Sequence, residues 1–185
     1  MSNWFVALPV DSGVWFPRLS PPPTGTHLLA AADLHLTVAF LGNIGEPRAR
    51  AAFRSLSPSA ISCCEVLLGV VAPMGNTRRP SALSALVESL DPGSRAIAET
   101  LEVSRDGILE AAELPLETRE MKPHVTLARL RRRAEAEDRR RAVAWAETIN
   151  LGSPRIRLDR IGLYTGARDR KTRAYDIVET RSLGS

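Results

Sequence analysis

Pro123-His124-Val125-Thr126-Leu127-Ala128-Arg129 decides the reading of this chain, because Leu34-His35-Leu36-Thr37-Val38-Ala39-Phe40 repeats it half a chain earlier. Both are short runs of aliphatic and β-branched residues, which predicts buried strands. In a strand, residues two apart point to the same face, so each run presents one imidazole and one hydroxyl together. The chain holds 3 histidines, and two of them sit in these matched frames. Such spacing predicts an internal duplication, with the two motif strands related by a pseudo-twofold axis that brings their His/Thr faces together across a cleft.

Working outward, Trp4 to Val10 reads as a first strand, and Leu19 to Thr26 as a proline-rich loop that excludes ladder pairing. Glu46-Pro47 opens a helix running to about Ser57, with Ala49, Ala52, Phe53 and Leu56 on its inner face. Ser62 to Val71 is a strand ended by a turn at Pro73-Met74-Gly75-Asn76, and Ala82 to Val87 is another. Asp91-Pro92-Gly93-Ser94 opens a helix closed at Gly107, and Glu110 to Met121 reads as a loop. Ala134 to Ile149 has helical spacing, ended by Asn150 and Gly152. Ile156–Tyr164 and Arg173–Glu179 form a hairpin around a basic loop. This interleaving predicts an α+β fold with antiparallel sheets, in a single domain over residues 1–185.

The composition is that of a globular protein: 44% hydrophobic and 25% charged residues, with no run long enough to span a membrane. The opening Met1-Ser2-Asn3-Trp4 lacks a basic leader, so a cytoplasmic location and no membrane partner are expected. Cys63 and Cys64 are adjacent and should stay reduced. A formal charge of +4, carried mostly by arginine, suits a partner bearing phosphates.

Two imidazoles and two hydroxyls on one face suit phosphoryl chemistry. Imidazole can be neutral or charged near pH 7, so one copy can act as acid while the other acts as base. Hydroxyls can donate hydrogen bonds to phosphate oxygens as charge builds there. The sequence shows no phosphate-cradling glycine loop, no metal-ligating His-x-His or Cys-x-x-Cys pair and no nucleophile elbow, so no metal and no cofactor are expected.

His35-Leu36-Thr37-Val38 and His124-Val125-Thr126-Leu127 resemble the paired signatures of the two-histidine phosphoesterases, in particular the RNA 2′,3′-cyclic phosphodiesterases, or 2′-5′ RNA ligase-like proteins. Phe5 to Pro9, Leu34 to Gly42, Pro123 to Arg129, and Leu163-Tyr164 with Tyr175 carry the resemblance. Two departures stand out. Met121-Lys122 stands where the family has an aromatic and a basic residue before Pro-His, so the aromatic is missing while the positive charge is kept, and the C-terminal hairpin loop lacks Gly-Pro.

The resemblance implies a bilobal fold of two ferredoxin-like halves with the active site between them. It also implies hydrolysis of an RNA or nucleotide 2′,3′-cyclic phosphate to a 2′-phosphate. His35 would be the proton donor and His124 the proton acceptor, with Thr37 and Thr126 assisting. Arg129, Phe5 and Tyr164 would bind substrate, the chain acting as a monomer. A phosphodiesterase or ligase for 2′-5′-linked oligonucleotides or ADP-ribose cyclic phosphate, and a non-catalytic RNA-binding module, are the competing readings.

Some features read more plainly. His27 falls in the proline-rich loop and reads as a solvent-facing residue. Arg131 to Arg133 and Arg139 to Arg141 interleave with acidic residues and read as a solvated, self-paired face. Arg78-Arg79 fits an ordinary surface loop as well as an RNA-tracking one. Strict alternation puts Arg129 on the face opposite His124 and Thr126, so it reaches substrate only if a bulge intervenes or the strand ends there.

Overall fold

A computed structural model describes residues 3–57, 60–76, 79–88, 92–169 and 171–184, the side chains of 92–96 excepted. The chain runs β1 (Trp4–Pro9), β2 (Thr26–Leu28), β3 (His35–Gly42), α1 (Glu46–Ser55), β4 (Cys64–Asn76) and β5 (Arg79–Glu88). It continues through α2 (Pro92–Ala111), β6 (His124–Leu130), α3 (Ala136–Thr148), β7 (Arg155–Leu158), β8 (Arg160–Gly166) and β9 (Tyr175–Ser182). The strands join one sheet in the order β7-β4-β5-β6-β3-β1-β8-β9, with β2 beside β6. Every pairing of these strands is antiparallel.

The motif strands β6 and β3 stand at the centre of that order, each the fourth strand from its nearer end. Helices α1 and α2 pack on the half built from β1, β3, β8 and β9, and α3 packs on β4 and β5. The expected α+β architecture of two antiparallel halves is present. The halves share one continuous sheet, so the two motifs lie side by side on neighbouring strands.

The helix-covered face holds the core. Phe53, Leu68, Leu101, Ile108 and Leu127 are all fully buried there, each contributing about 1.5–3 kcal/mol through removal of apolar surface from water. Phe5, Ala7 and Tyr164 form a separate small cluster, with Tyr175 packed against it.

Several boundaries differ from the sequence reading. Strand β4 continues through Pro73–Asn76, with Pro73 opposite Leu83 and Asn76 opposite Arg79. A register shift at Met74/Gly75, where Gly75 has φ of 97°, absorbs the irregularity expected to be a turn. The connection at 77–78, which includes Arg78, and Asp91 lie outside the described residues. Gly107 does not end α2; burial of Ile108, Leu109 and Ala112 beyond it outweighs a helical glycine's cost of about 1 kcal/mol. The helix stops before Glu113, whose φ is 49°. The C-terminal hairpin is β8–β9 alone, because β7 leaves it to pair with β4.

Candidate active site

Leu36 on β3 pairs directly with Val125 on β6, and both are buried in the core. Their neighbours His35, Thr37, His124 and Thr126 therefore project from the other face of the sheet. The antiparallel register sets His35 across from Thr126 and Thr37 across from His124. Facing residues of such a pair lie about 4.5–5.5 Å apart and diagonal ones about 7–8 Å, a square that a phosphate group can fill.

Both imidazoles are oriented by the same local bond. His35 Nδ1 is 2.6 Å from the Asp33 carbonyl oxygen, and His124 Nδ1 is 2.7 Å from that of Lys122. A carbonyl only accepts, so each Nδ1 carries the proton and donates it, leaving Nε2 for proton transfer. The rings differ in exposure: His35 is 7% exposed, whereas His124 is half-buried. Burial lowers the His35 pKa to about 4, with the positive charge of Arg129 acting in the same direction and the bond to Asp33 opposing it.

The position of Arg129 follows from a bulge. On β6, Leu83 pairs with Ala128 and Ser84 with Thr126, so Leu127 is the extra residue. One added residue reverses the alternation and returns Arg129 to the face of His124 and Thr126. Strand β3 carries the same device: Val6 pairs with Ala39 and Ala7 with Thr37, which skips Val38 and turns Phe40 outward, 61% exposed. The duplication thus includes a bulge one residue after each threonine.

A cavity of about 950 Å³ opens on this face, lined by residues that include Phe5, His27, His35, Thr37, Phe40 and Arg129. The Phe5 ring lies 5.0 Å from both His35 and Tyr164, stacked on the latter at 18°. Tyr164 is only 1% exposed, and Phe5 and His35 cover it, so it supports the wall from behind. Burial raises its hydroxyl pKa. The aromatic that lines the cavity from the C-terminal hairpin is Tyr175, edge-on to both Phe5 and His35. Its hydroxyl accepts a 3.3 Å hydrogen bond from Arg129 Nη2.

Three contributors escaped the sequence reading. Asp33 is 2% exposed, and its carboxylate accepts the backbone N–H groups of Ala174 (2.7 Å) and Tyr175 (3.1 Å), fastening the hairpin beside His35. Only its place two residues before the histidine marked it. Ser84 is fully buried, with its hydroxyl 3.2 Å from that of Thr126. A lone serine in an apolar strand was its only signal. His27 is the correction: it belongs to β2, paired opposite Arg129, and lines the cavity. Its strand forms because the loop's prolines end at Pro23, leaving Thr26–Leu28 free to pair with β6.

The self-paired reading of the basic helix holds in part: on α3, Arg140 pairs with Glu137 and Arg141 with Asp138, whereas Arg139 donates to the Pro80 carbonyl and Arg131 to Arg133 precede the helix. Cys63 and Cys64 are free thiols, the latter's pKa raised by burial. Among the described residues, no group of three or more His, Cys, Asp and Glu side chains is arranged to hold a metal ion, and no helix is long and apolar enough to cross a membrane.

Residues 90–175, which include the second motif, match the family described as LigT like Phosphoesterase. No curated protein matches the sequence. Among solved structures, TT0787 of Thermus thermophilus is similar at 21% identity with a TM-score of 0.68, covering 99% of each chain. E. coli LigT complexed with 3′-AMP is similar at 18% identity and TM-score 0.68, over 100% of this chain and 99% of that one. Residues 90–175 are thus similar to the LigT like Phosphoesterase family, and the whole chain shares the fold of these two solved structures.

Proposed function

We propose that this protein is a metal-independent phosphodiesterase that opens the 2′,3′-cyclic phosphate of an RNA end or a nucleotide and leaves a 2′-phosphate. The observation that carries the reading is the meeting of two His-x-Thr pairs on one face of β3 and β6, with both Nε2 atoms left unengaged by the Nδ1 bonds. The bound 3′-AMP of E. coli LigT shows that fold holding a nucleotide phosphate, in that protein.

In the proposed step, His124 Nε2 takes a proton from water as the water oxygen bonds to phosphorus. The bond from phosphorus to O3′ breaks, and His35 Nε2–H gives its proton to O3′. Thr37 and Thr126 donate hydrogen bonds to the non-bridging oxygens, and Ser84 holds the Thr126 hydroxyl in place. Arg129, beyond the bulge of β6, lines the same cavity and adds positive charge beside the reacting phosphate without entering the step. A buried neutral His35 acquires its proton as the phosphate anion enters, because an opposite charge nearby favours the imidazolium.

The test is incubation with nucleoside 2′,3′-cyclic phosphates, 3′,5′-cyclic nucleotides and 2′-5′ dimers in the presence of chelator, with identification of the product. Formation of a 2′-phosphate from the first group alone is expected. Turnover of the dimers alone, or dependence on added metal, overturns the proposal. The roles are separated with a substrate whose 3′ oxygen is replaced by sulfur, a leaving group that needs no protonation. That substrate should restore turnover to His35→Ala and not to His124→Ala; the reverse pattern exchanges the roles.

A further inference from the structure

The side chains on the cleft face form a strip of facing pairs that outruns the chemistry. Along β6 it runs His124, Thr126, Arg129; across from them stand Thr37, His35 and His27. Four of these six groups are engaged in the proposed reaction at one phosphate. His27 and Arg129 form the last pair, opposite one another in the β2–β6 register. Both are exposed and line the same cavity.

We propose that His27 and Arg129 form a second phosphate subsite, so that the preferred ligand carries two phosphates: one between the paired histidines and another on this pair. The inference rests on the functional reading above and names its substrate class. Arg129 stands three residues beyond Thr126 on β6, at most about 10 Å along the strand, and its long side chain brings the guanidinium within reach of a neighbouring phosphate of an extended oligonucleotide.

The local chemistry favours an anion. Arg129 spends one of its five N–H donors on the Tyr175 hydroxyl and has no carboxylate partner among the described residues. The neighbouring carboxylate, Asp33, has both oxygens occupied by backbone N–H groups. Imidazole supplies an N–H donor in either protonation state, so His27 can bond a phosphate oxygen beside the guanidinium. A cavity of about 950 Å³ is at the upper end of the range for single-ligand sites, which leaves room for both phosphates and the intervening sugar.

The test is calorimetric binding of three ligands to the full chain: adenosine 3′-monophosphate, adenosine 3′,5′-bisphosphate and the dinucleotide ApAp with its 3′-phosphate. The wild type should bind at least one two-phosphate ligand about tenfold tighter than the monophosphate, as expected for an added charge-assisted contact. Preference for the bisphosphate assigns the subsite to a terminal 5′-phosphate, and preference for ApAp assigns it to an internal phosphodiester. His27→Ala should cut that preference about fivefold, and His27→Gln, which keeps a donor, should restore part of it. Equal wild-type binding of all three ligands overturns the proposal. So does a His27→Ala variant that weakens all three by the same factor. Because the readout is binding, it decides the subsite even if no cyclic phosphate is turned over, in which case only the proposed reaction fails.

Discussion

Burial of His35 makes stability depend on pH in a window where few other groups titrate. Its folded-state pKa is about 4, against 6.5 for a free imidazole. Between these values the unfolded chain binds a proton that the folded chain does not, so stability is full above about 6.5 and falls as pH drops toward 4. A shift of about 2.5 units at about 1.36 kcal/mol per unit gives an order-of-magnitude loss of about 3 kcal/mol between pH 7 and pH 4. The carboxylates of Glu117 and Glu179, whose pKa values their arginine partners lower, add losses at more acid pH, so the readout must be a difference. Urea unfolding of wild type and His35→Gln at half-unit steps from pH 7.5 to 4 supplies it. The wild type should lose about 3 kcal/mol relative to the variant between pH 6.5 and 4. Identical pH dependence in the two proteins would refute the buried, neutral His35.

The same lowered pKa predicts that the acid limb of kcat/KM lies near pH 4, whichever histidine is the acid; a limb near 6.5 would contradict it. Thr37→Ala and Thr126→Ala should each lower kcat by about 10²–10³, as loss of an oxyanion donor does, with Ser84→Ala costing about tenfold or less. Asp33→Ala strips two backbone N–H groups of their acceptor and should destabilise the fold by about 2–4 kcal/mol in denaturant melts; a change under 0.5 kcal/mol would count against the fastening role.

How much was legible in the sequence differs from one side chain to the next. That His35, Thr37, His124 and Thr126 share a face is legible because the repeat and a period of two are local properties of the chain, and the register of β3 on β6 then brings the four together. Arg129 was ambiguous for a physical reason. Strand parity is readable only while the strand is regular, and the bulge at Leu127 is a property of its pairing with β5. His27 was misplaced because three residues are too few to announce a strand, and β2 exists through its bonds to β6. Strand β7 looked like part of the C-terminal hairpin because chain proximity suggested it, while its hydrogen bonds go to β4. Tyr164 and Tyr175 looked alike in sequence; the sheet buries the first beneath Phe5 and sets the second on the cavity wall.

The most direct test of the paired-histidine account is the turnover of a nucleoside 2′,3′-cyclic phosphate by His35→Ala and His124→Ala, each shown to be folded by circular dichroism. Loss of one acid or base partner should lower kcat by about 10²–10⁴ in either variant. Near wild-type turnover in either one would contradict the account.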